Sequence, residues 1–200
     1  NILQSIFGYT EIASLQIAQS KNPSEALDNI LTASQRAKSL INQILSFSRQ
    51  TEQEKQPVQI NLIVKEVLKL IRASLPATIE ICGKNLNCDA VVEADPIQIH
   101  QVIMNLCSNA HHAMKEKGGK LEVSLGACDM DANKAAQLGG IKPGDYLELC
   151  IKDTGHGIPR EYIDRIFDPY FTSKEKGEGT GLGLAVVHGI VSSHGGAISV

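Results

Sequence analysis

Apolar and polar positions alternate in two different rhythms along this chain. Leu3, Ile6, Thr10, Ala13 and Ile17 are separated by steps of three and four, so residues 1–19 read as a helix with one mostly apolar stripe. Lys21-Asn22-Pro23-Ser24 interrupts the pattern, and Ser24 is the expected N-cap of a second helix. There Leu27, Ile30, Ser34, Ala37, Ile41, Ile44 and Ser48 repeat the same spacing as a coiled-coil-like seam. Two helices joined by a short turn form an antiparallel hairpin, which cannot cover both of its own faces. Pairing with a second copy into a four-helix bundle and packing on the rest of the same chain both answer that need.

Residues 51–57 are polar, lack apolar periodicity and end in Pro57, which predicts a linker. Beyond it the rhythm is mixed. A helix is expected over about 60–74, stopping before Pro76, with strands near 78–82 and 90–94. A long helix over about 96–117 starts with Asp95 as N-cap and Pro96 as first helical residue, and stops at Gly118-Gly119. Strands near 120–127 and 145–152 flank a loop or small helical insertion at 129–143. A glycine-rich stretch, a helix near 181–194 and a last strand follow. Strands and helices interspersed without strict alternation indicate α+β, with helices on one face of a sheet.

Composition narrows the function classes. With 42% hydrophobic and 20% charged residues the 200-residue chain can bury a core. A net charge of −3 gives no footprint for nucleic acid or an anionic membrane surface. Aromatics at 4% argue against a stacking surface for single strands. No apolar run is long enough to span a membrane. The five cysteines are scattered, with no CxxC pair, and read as reduced thiols of a cytoplasmic protein. The chain opens inside one apolar-periodic element and closes inside another, so both ends read as cut.

Four clusters carry candidate chemistry. Asn105 and Asn109 lie four apart on the long helix and so share a face. A neutral oxygen ligand for Mg²⁺ is one reason for two poor helix formers on one turn; two solvated polar residues is the plainer reading of the pair alone. Asp153-Thr154-Gly155-His156-Gly157 follows a strand: its carboxylate could accept from an amino group such as adenine N6, or the segment is an ordinary surface turn. Three aromatics crowd into Phe167-Asp168-Pro169-Tyr170-Phe171-Thr172-Ser173-Lys174, a loop anchored by rings. Gly177-Glu178-Gly179-Thr180-Gly181-Leu182-Gly183 opens an apolar helix, leaving backbone amides and a helix N-terminus to meet phosphates. It is neither a P-loop nor a dinucleotide-binding fingerprint.

In this order and spacing, the clusters resemble the asparagine, first glycine, phenylalanine and second glycine boxes of the sensor histidine kinases. The hairpin, with Arg36-Ala37 and Ser46-Phe47-Ser48-Arg49, is similar to their dimerisation and phosphotransfer domain. The resemblance implies a truncated dimerisation hairpin at 1–50, forming a dimeric four-helix bundle. After the linker at 51–57 it implies, at 58–200, a GHKL-type α/β sandwich whose mixed sheet is covered by helices on one face. It implies ATP and Mg²⁺ as cofactors: Asp153 on adenine, Gly155 and Gly157 shaping the pocket, Asn109 on the metal and Asn105 lining the phosphate side. Phe167 and Phe171 would anchor a lid closed over the phosphates by Gly179, Thr180, Gly181, Leu182 and Gly183, with His112 and Lys174 as basic contacts. The implied partners are a second copy of the chain and a response regulator receiver domain, with no nucleic acid and no membrane contact by this part; membrane attachment of a longer protein is left open.

The implied reaction is phosphoryl transfer to a histidine, then to an aspartate of the regulator. Asn1-Ile2-Leu3 matches the tail of the acceptor box, so the acceptor histidine is expected just before Asn1, and this chain should bind ATP without labelling itself. A degenerate kinase serving as a dimeric scaffold, or another ATPase of the same fold, is the alternative. Asn105 stands where the hydrolysing relatives place a glutamate base, which favours transfer.

Overall fold

The computed structural model describes residues 2–34, 37, 55–174 and 180–200. The chain divides into two compact units, Asn1–Glu52 and Gln53–Val200.

The first unit contains α1 (Ile2–Ala18) and α2, helical over 24–34 and again at 37. Ser20, at φ 54, turns the chain after α1. Ser24 is not the cap expected. It is the first helical residue, and both its amide and its hydroxyl donate to Asn22 Oδ1, at 3.0 and 2.7 Å. The buried line also differs from the expected stripe. Among the described residues Ala13, Ala26 and Ala33 are the covered hydrophobics, whereas Leu3, Ile17 and Leu27 stand 63%, 62% and 51% exposed. Ile41, Ile44 and Ser48, together with Arg36 and 46–49, lie outside the described residues.

The second unit runs β1 (Gln56–Gln59), α3 (Ile60–Ser74), β2 (Ile79–Lys84), β3 (Val91–Ala94), α4 (Pro96–Ala113), β4 (Gly119–Met130), α5 (Ala132–Gln137), β5 (Gly144–Asp153) and α6 (Gly183–Ser193). It is an α+β fold. β2 pairs parallel with β4, and β4 antiparallel with β5, giving a mixed three-stranded sheet. β1 and β3 form a separate antiparallel pair. Gln56 and Pro57, read from sequence as the end of a linker, open β1; alternation returns there because Val58 is buried opposite Val92. The helix expected to reach 117 ends at Ala113, where the Met114 amide bonds back to Ala110 and His111 and turns replace the helix. The last strand does not form. Gly196 N–H turns back to Val191 O, and 196–200 carry no ladder.

Period decides which face is covered. Ile60, Val64, Val67 and Ile71 line one side of α3, and Ile103, Cys107 and Ala110 one side of α4, continued by its C-cap Met114. Both meet Leu121, Val123 and Leu125, alternate residues of β4. Their neighbours Glu122 and Ser124 face away, half exposed. A second apolar cluster, Val102 with Val186, Val187 and Ile190, joins α4 to α6. α4 is therefore wedged between sheet and α6, and the flank carrying Val102, Asn105, Leu106 and Asn109 is turned to α6.

Candidate functional site

α4 brings the first cluster to the start of α6. Asn105 Nδ2 donates to Gly183 O at 3.5 Å, and a Cβ on Gly183 would lie 4.0 Å from both Asn105 and Asn109. Asn109 Oδ1 accepts from Lys174 Nζ at 3.4 Å, so its amide oxygen already faces a cation. Asn105, Asn109, Lys174 and Gly183 thus converge, although they come from three segments of the chain.

The second cluster reaches the last residue of α4, one turn beyond Asn109. Asp153 closes β5, and its Oδ1 accepts from Gly155 N at 2.8 Å. Gly155 lies against Ala113, where an added Cβ would come within 2.6 Å of that residue's Cβ and carbonyl oxygen. His156 N–H donates to Ala113 O at 3.3 Å. Gly157 adopts φ +71, which suits glycine, with open space around it. Thr154, quoted only as part of the motif, proves structural: Oγ1 accepts from Lys120 N at 2.9 Å and lies 3.9 Å from Met114 Sδ.

The third cluster is built on rings. Phe167 lies on His188 of α6, with centroids 5.3 Å apart. Phe171 takes the edge of Tyr162 at 5.4 Å and the Arg165 guanidinium at 4.7 Å. Between them Tyr170 adopts φ +68, donates its N–H to Gly181 O at 3.0 Å, and lies so close that a Cβ on Gly181 would sit 2.3 Å from its carbonyl carbon. Gly181 is itself at φ +67, so it is required twice over. No sequence signal marks this bridge, because tyrosine seldom takes a positive φ.

Thr180 Oγ1 accepts from Leu182 N at 3.4 Å, and Leu182 is the N-cap of α6 without a side-chain cap bond. Gly179 lies outside the described residues. His112 turns back on its own helix, its Nδ1–H donating to Ser108 O at 2.8 Å. Burial, then the neighbouring His112, Lys115 and Lys174 charges, hold the His111 pKa below its ordinary range. Burial pushes the Cys107 thiol up to about 12, which leaves it inert. Among the described residues no three His, Cys, Asp or Glu side chains gather as a metal cluster, and no helix is long and apolar enough to cross a membrane.

Comparison with known proteins identifies the family. The family model described as histidine kinase-, DNA gyrase B- and HSP90-like ATPase matches residues 94–200. The chain is 36% identical over 175 residues to the sensor kinase CckA of Brucella abortus, covering 85% of this chain and 18% of that protein. It is 34% identical over 163 residues to the sensor histidine kinase ZraS of Escherichia coli, covering 80% and 31%. It spans less than a third of the length of these two relatives. Among solved structures, the nucleotide-free catalytic domain of histidine kinase ThkA matches with a TM-score of 0.55 at 30% identity, covering 70% of this chain and 82% of that one. ThkA in complex with the response regulator protein TrrA shares the fold over 98% of this chain and 54% of that one, with a TM-score of 0.64 at 24% identity. The chain belongs to the histidine kinase-, DNA gyrase B- and HSP90-like ATPase family, in its branch of two-component sensor histidine kinases.

Proposed function

We propose that the second unit, 58–200 in the sequence reading, binds Mg·ATP in the crevice between α4, the end of β5 and the start of α6, for transfer of the γ-phosphoryl group to a histidine. The observation that carries this is the meeting of Asn105, Asn109 and Lys174 with Gly183 at the N-terminus of α6. Helix N-terminal amides and an ammonium favour the negative charge of phosphates. Asp153, fixed by Gly155 N–H, would accept from the adenine amino group. Gly155, pressed on Ala113, and Gly157 would leave room for the flat base. Gly181, Leu182 and Gly183 would present amides to the phosphates. Phe167 and Phe171 hold the preceding loop through ring contacts, and His112 would offer Nε2 at the edge of the site.

Mg²⁺ fits the donor set, since Asn109 Oδ1 is a neutral amide oxygen already directed at a cation. Bound there with the nucleotide, the metal would neutralise phosphate charge. Asn105 cannot remove a proton from water, which favours transfer over hydrolysis. The role of the protein residues is to position the nucleotide and surround its charge.

In this reading 1–50 is the dimerisation and phosphotransfer hairpin, paired with a second copy, and the phosphoryl group passes on to a receiver-domain aspartate. All six histidines lie between His100 and His194, so this 200-residue chain would bind ATP and not label itself. Calorimetric titration of ATP, with and without Mg²⁺, tests the site. Asp153→Asn should weaken binding about ten- to hundredfold, as expected for a lost charge-assisted hydrogen bond. A folded wild-type chain that takes up no nucleotide would reject the proposal and favour the scaffold.

A further inference from the structure

α6 starts at the phosphate side of the proposed site, yet its hold on α4 is largely non-directional. Val102, Val186, Val187 and Ile190 form the contact, with Leu106, Val191 and Ile198 around it. Such a contact resists separation better than it resists sliding or rolling. The N-terminus of α6 has no side-chain cap, and Asn105 reaches Gly183 at only 3.5 Å.

The directional tie is at the opposite end. His194 is the C-cap of α6, its backbone N–H bonding to Ile190 O and Val191 O at 3.2 Å each. Its ring is committed at both nitrogens. Nδ1 lies 2.8 Å from Ile190 O, which also accepts from the His194 N–H and the Ser193 hydroxyl; a carbonyl oxygen only accepts, so Nδ1 carries the proton. Nε2 accepts the backbone N–H of Asp95 at 3.1 Å. Asp95 is in turn the N-cap of α4, its Oδ1 accepting from Ile97 N and Gln98 N at 2.8 and 3.3 Å. One imidazole therefore joins the last turn of α6 to the first residue of α4, and only the neutral Nδ1–H tautomer serves both bonds.

We infer that His194 is a positioning residue for the nucleotide site. It sets the register of α6 on α4 and thereby the place of Gly183 against Asn105 and Asn109. It acts at a distance, since Asn109 lies fourteen residues beyond Asp95, about 20 Å along α4. The inference rests on the nucleotide reading above. Nothing in its side-chain type announced it, because six histidines are spread from His100 to His194 and only the fold separates one from the others.

The test is made on the whole chain with three variants and two readouts. His194→Ala removes both ring bonds. His194→Gln keeps one donor and one acceptor. Lys55→Ala removes a different tie to the same turn, the 2.7 Å bond from Lys55 Nζ to Ser193 O. ADP affinity should fall about five- to tenfold in His194→Ala, as expected for losing a single net hydrogen bond or slightly more. It should return to within about threefold in His194→Gln and stay near wild type in Lys55→Ala. A long-range proton–nitrogen spectrum of the wild type should place the His194 proton on Nδ1, and the Gly183 amide should shift in His194→Ala without nucleotide. These spectra need no ligand, so they judge the clasp even if the wild type binds no ADP. A proton on Nε2, an unmoved Gly183 amide, full ADP affinity in His194→Ala, or a His194→Gln no better than His194→Ala would each overturn the inference. If His194→Ala does not fold, the wild-type tautomer and the His194→Gln affinity still decide it.

Discussion

The two units spend their large apolar residues in opposite ways. In the second unit Ile79, Ile103, Met114, Leu121 and Val123 are almost wholly enclosed. Among the described residues of the hairpin the enclosed hydrophobics are Ala13, Ala26 and Ala33, while Phe7, Leu15 and Leu31 stand 71%, 61% and 58% exposed. A unit that encloses a set of large aliphatic side chains is written to fold on its own. One that buries alanines and presents leucines and a phenylalanine is written to be covered, and in the proposed dimer the second copy covers it.

The most forceful way to break this contrast is to cut one leucine to alanine in each unit. Leu121→Ala should cost about 2–5 kcal/mol in chemical denaturation, because the cavity lies between α3, α4 and the sheet. Leu15→Ala should leave the second unit's transition in place and lower the molecular mass measured by light scattering toward the monomer. Equal losses in both transitions would refute the contrast.

Gly181→Ala comes next. Its positive φ and the Tyr170 carbonyl carbon 2.3 Å from the new Cβ should cost about 1–3 kcal/mol and weaken nucleotide binding together. Gly157→Ala shares the positive φ but meets open space, so it should cost less by the same denaturation assay. Asp95→Ala removes the acceptor of two amides at the start of α4 and should cost about 1 kcal/mol.

The smallest effect belongs to the exposed outer face of the sheet. Lys84 Nζ bonds Glu122 Oε2 at 2.8 Å and holds the Glu122 carboxyl below its ordinary pKa. A lowered carboxylate pKa stabilises the fold above the ordinary glutamate range, and that contribution is lost as pH falls through the lowered value. Glu122→Gln should therefore shallow the acid limb of a stability–pH curve and change little near neutrality. A steepened acid limb would contradict the pairing.

Sequence patterns reached much of the second unit and less of the first. The start of α4 was legible because Asp95 and Pro96 act locally, through one carboxylate and one fixed φ. The end of α4 was not, since the glycines at 118 and 119 lie beyond the turns that follow Met114. β1 was hidden by the polar residues Gln56 and Gln59, whose strand conformation depends on β3, far along the chain. In the hairpin, periodicity identified the helices but not the covered side, because a hydrophobic stripe does not say whether its own chain or another meets it. The cluster residues were found as motifs. What joins them, from Lys174 on Asn109 to Tyr170 on Gly181, is made by tertiary structure and left no trace in spacing.

The backbone bridge between Tyr170 and Gly181 has a consequence for how such a chain can change over generations. With those two residues fastened together, the two ends of the intervening segment are already fixed in position. Lengthening a flexible loop between fixed ends costs only about 0.6 kcal/mol per doubling. Insertions and deletions there are therefore cheap for the fold, and the start of α6 keeps its place on Asn105 while the stretch drifts in length. Homologues should differ in size at this point before they differ anywhere between Asn105 and Asp153.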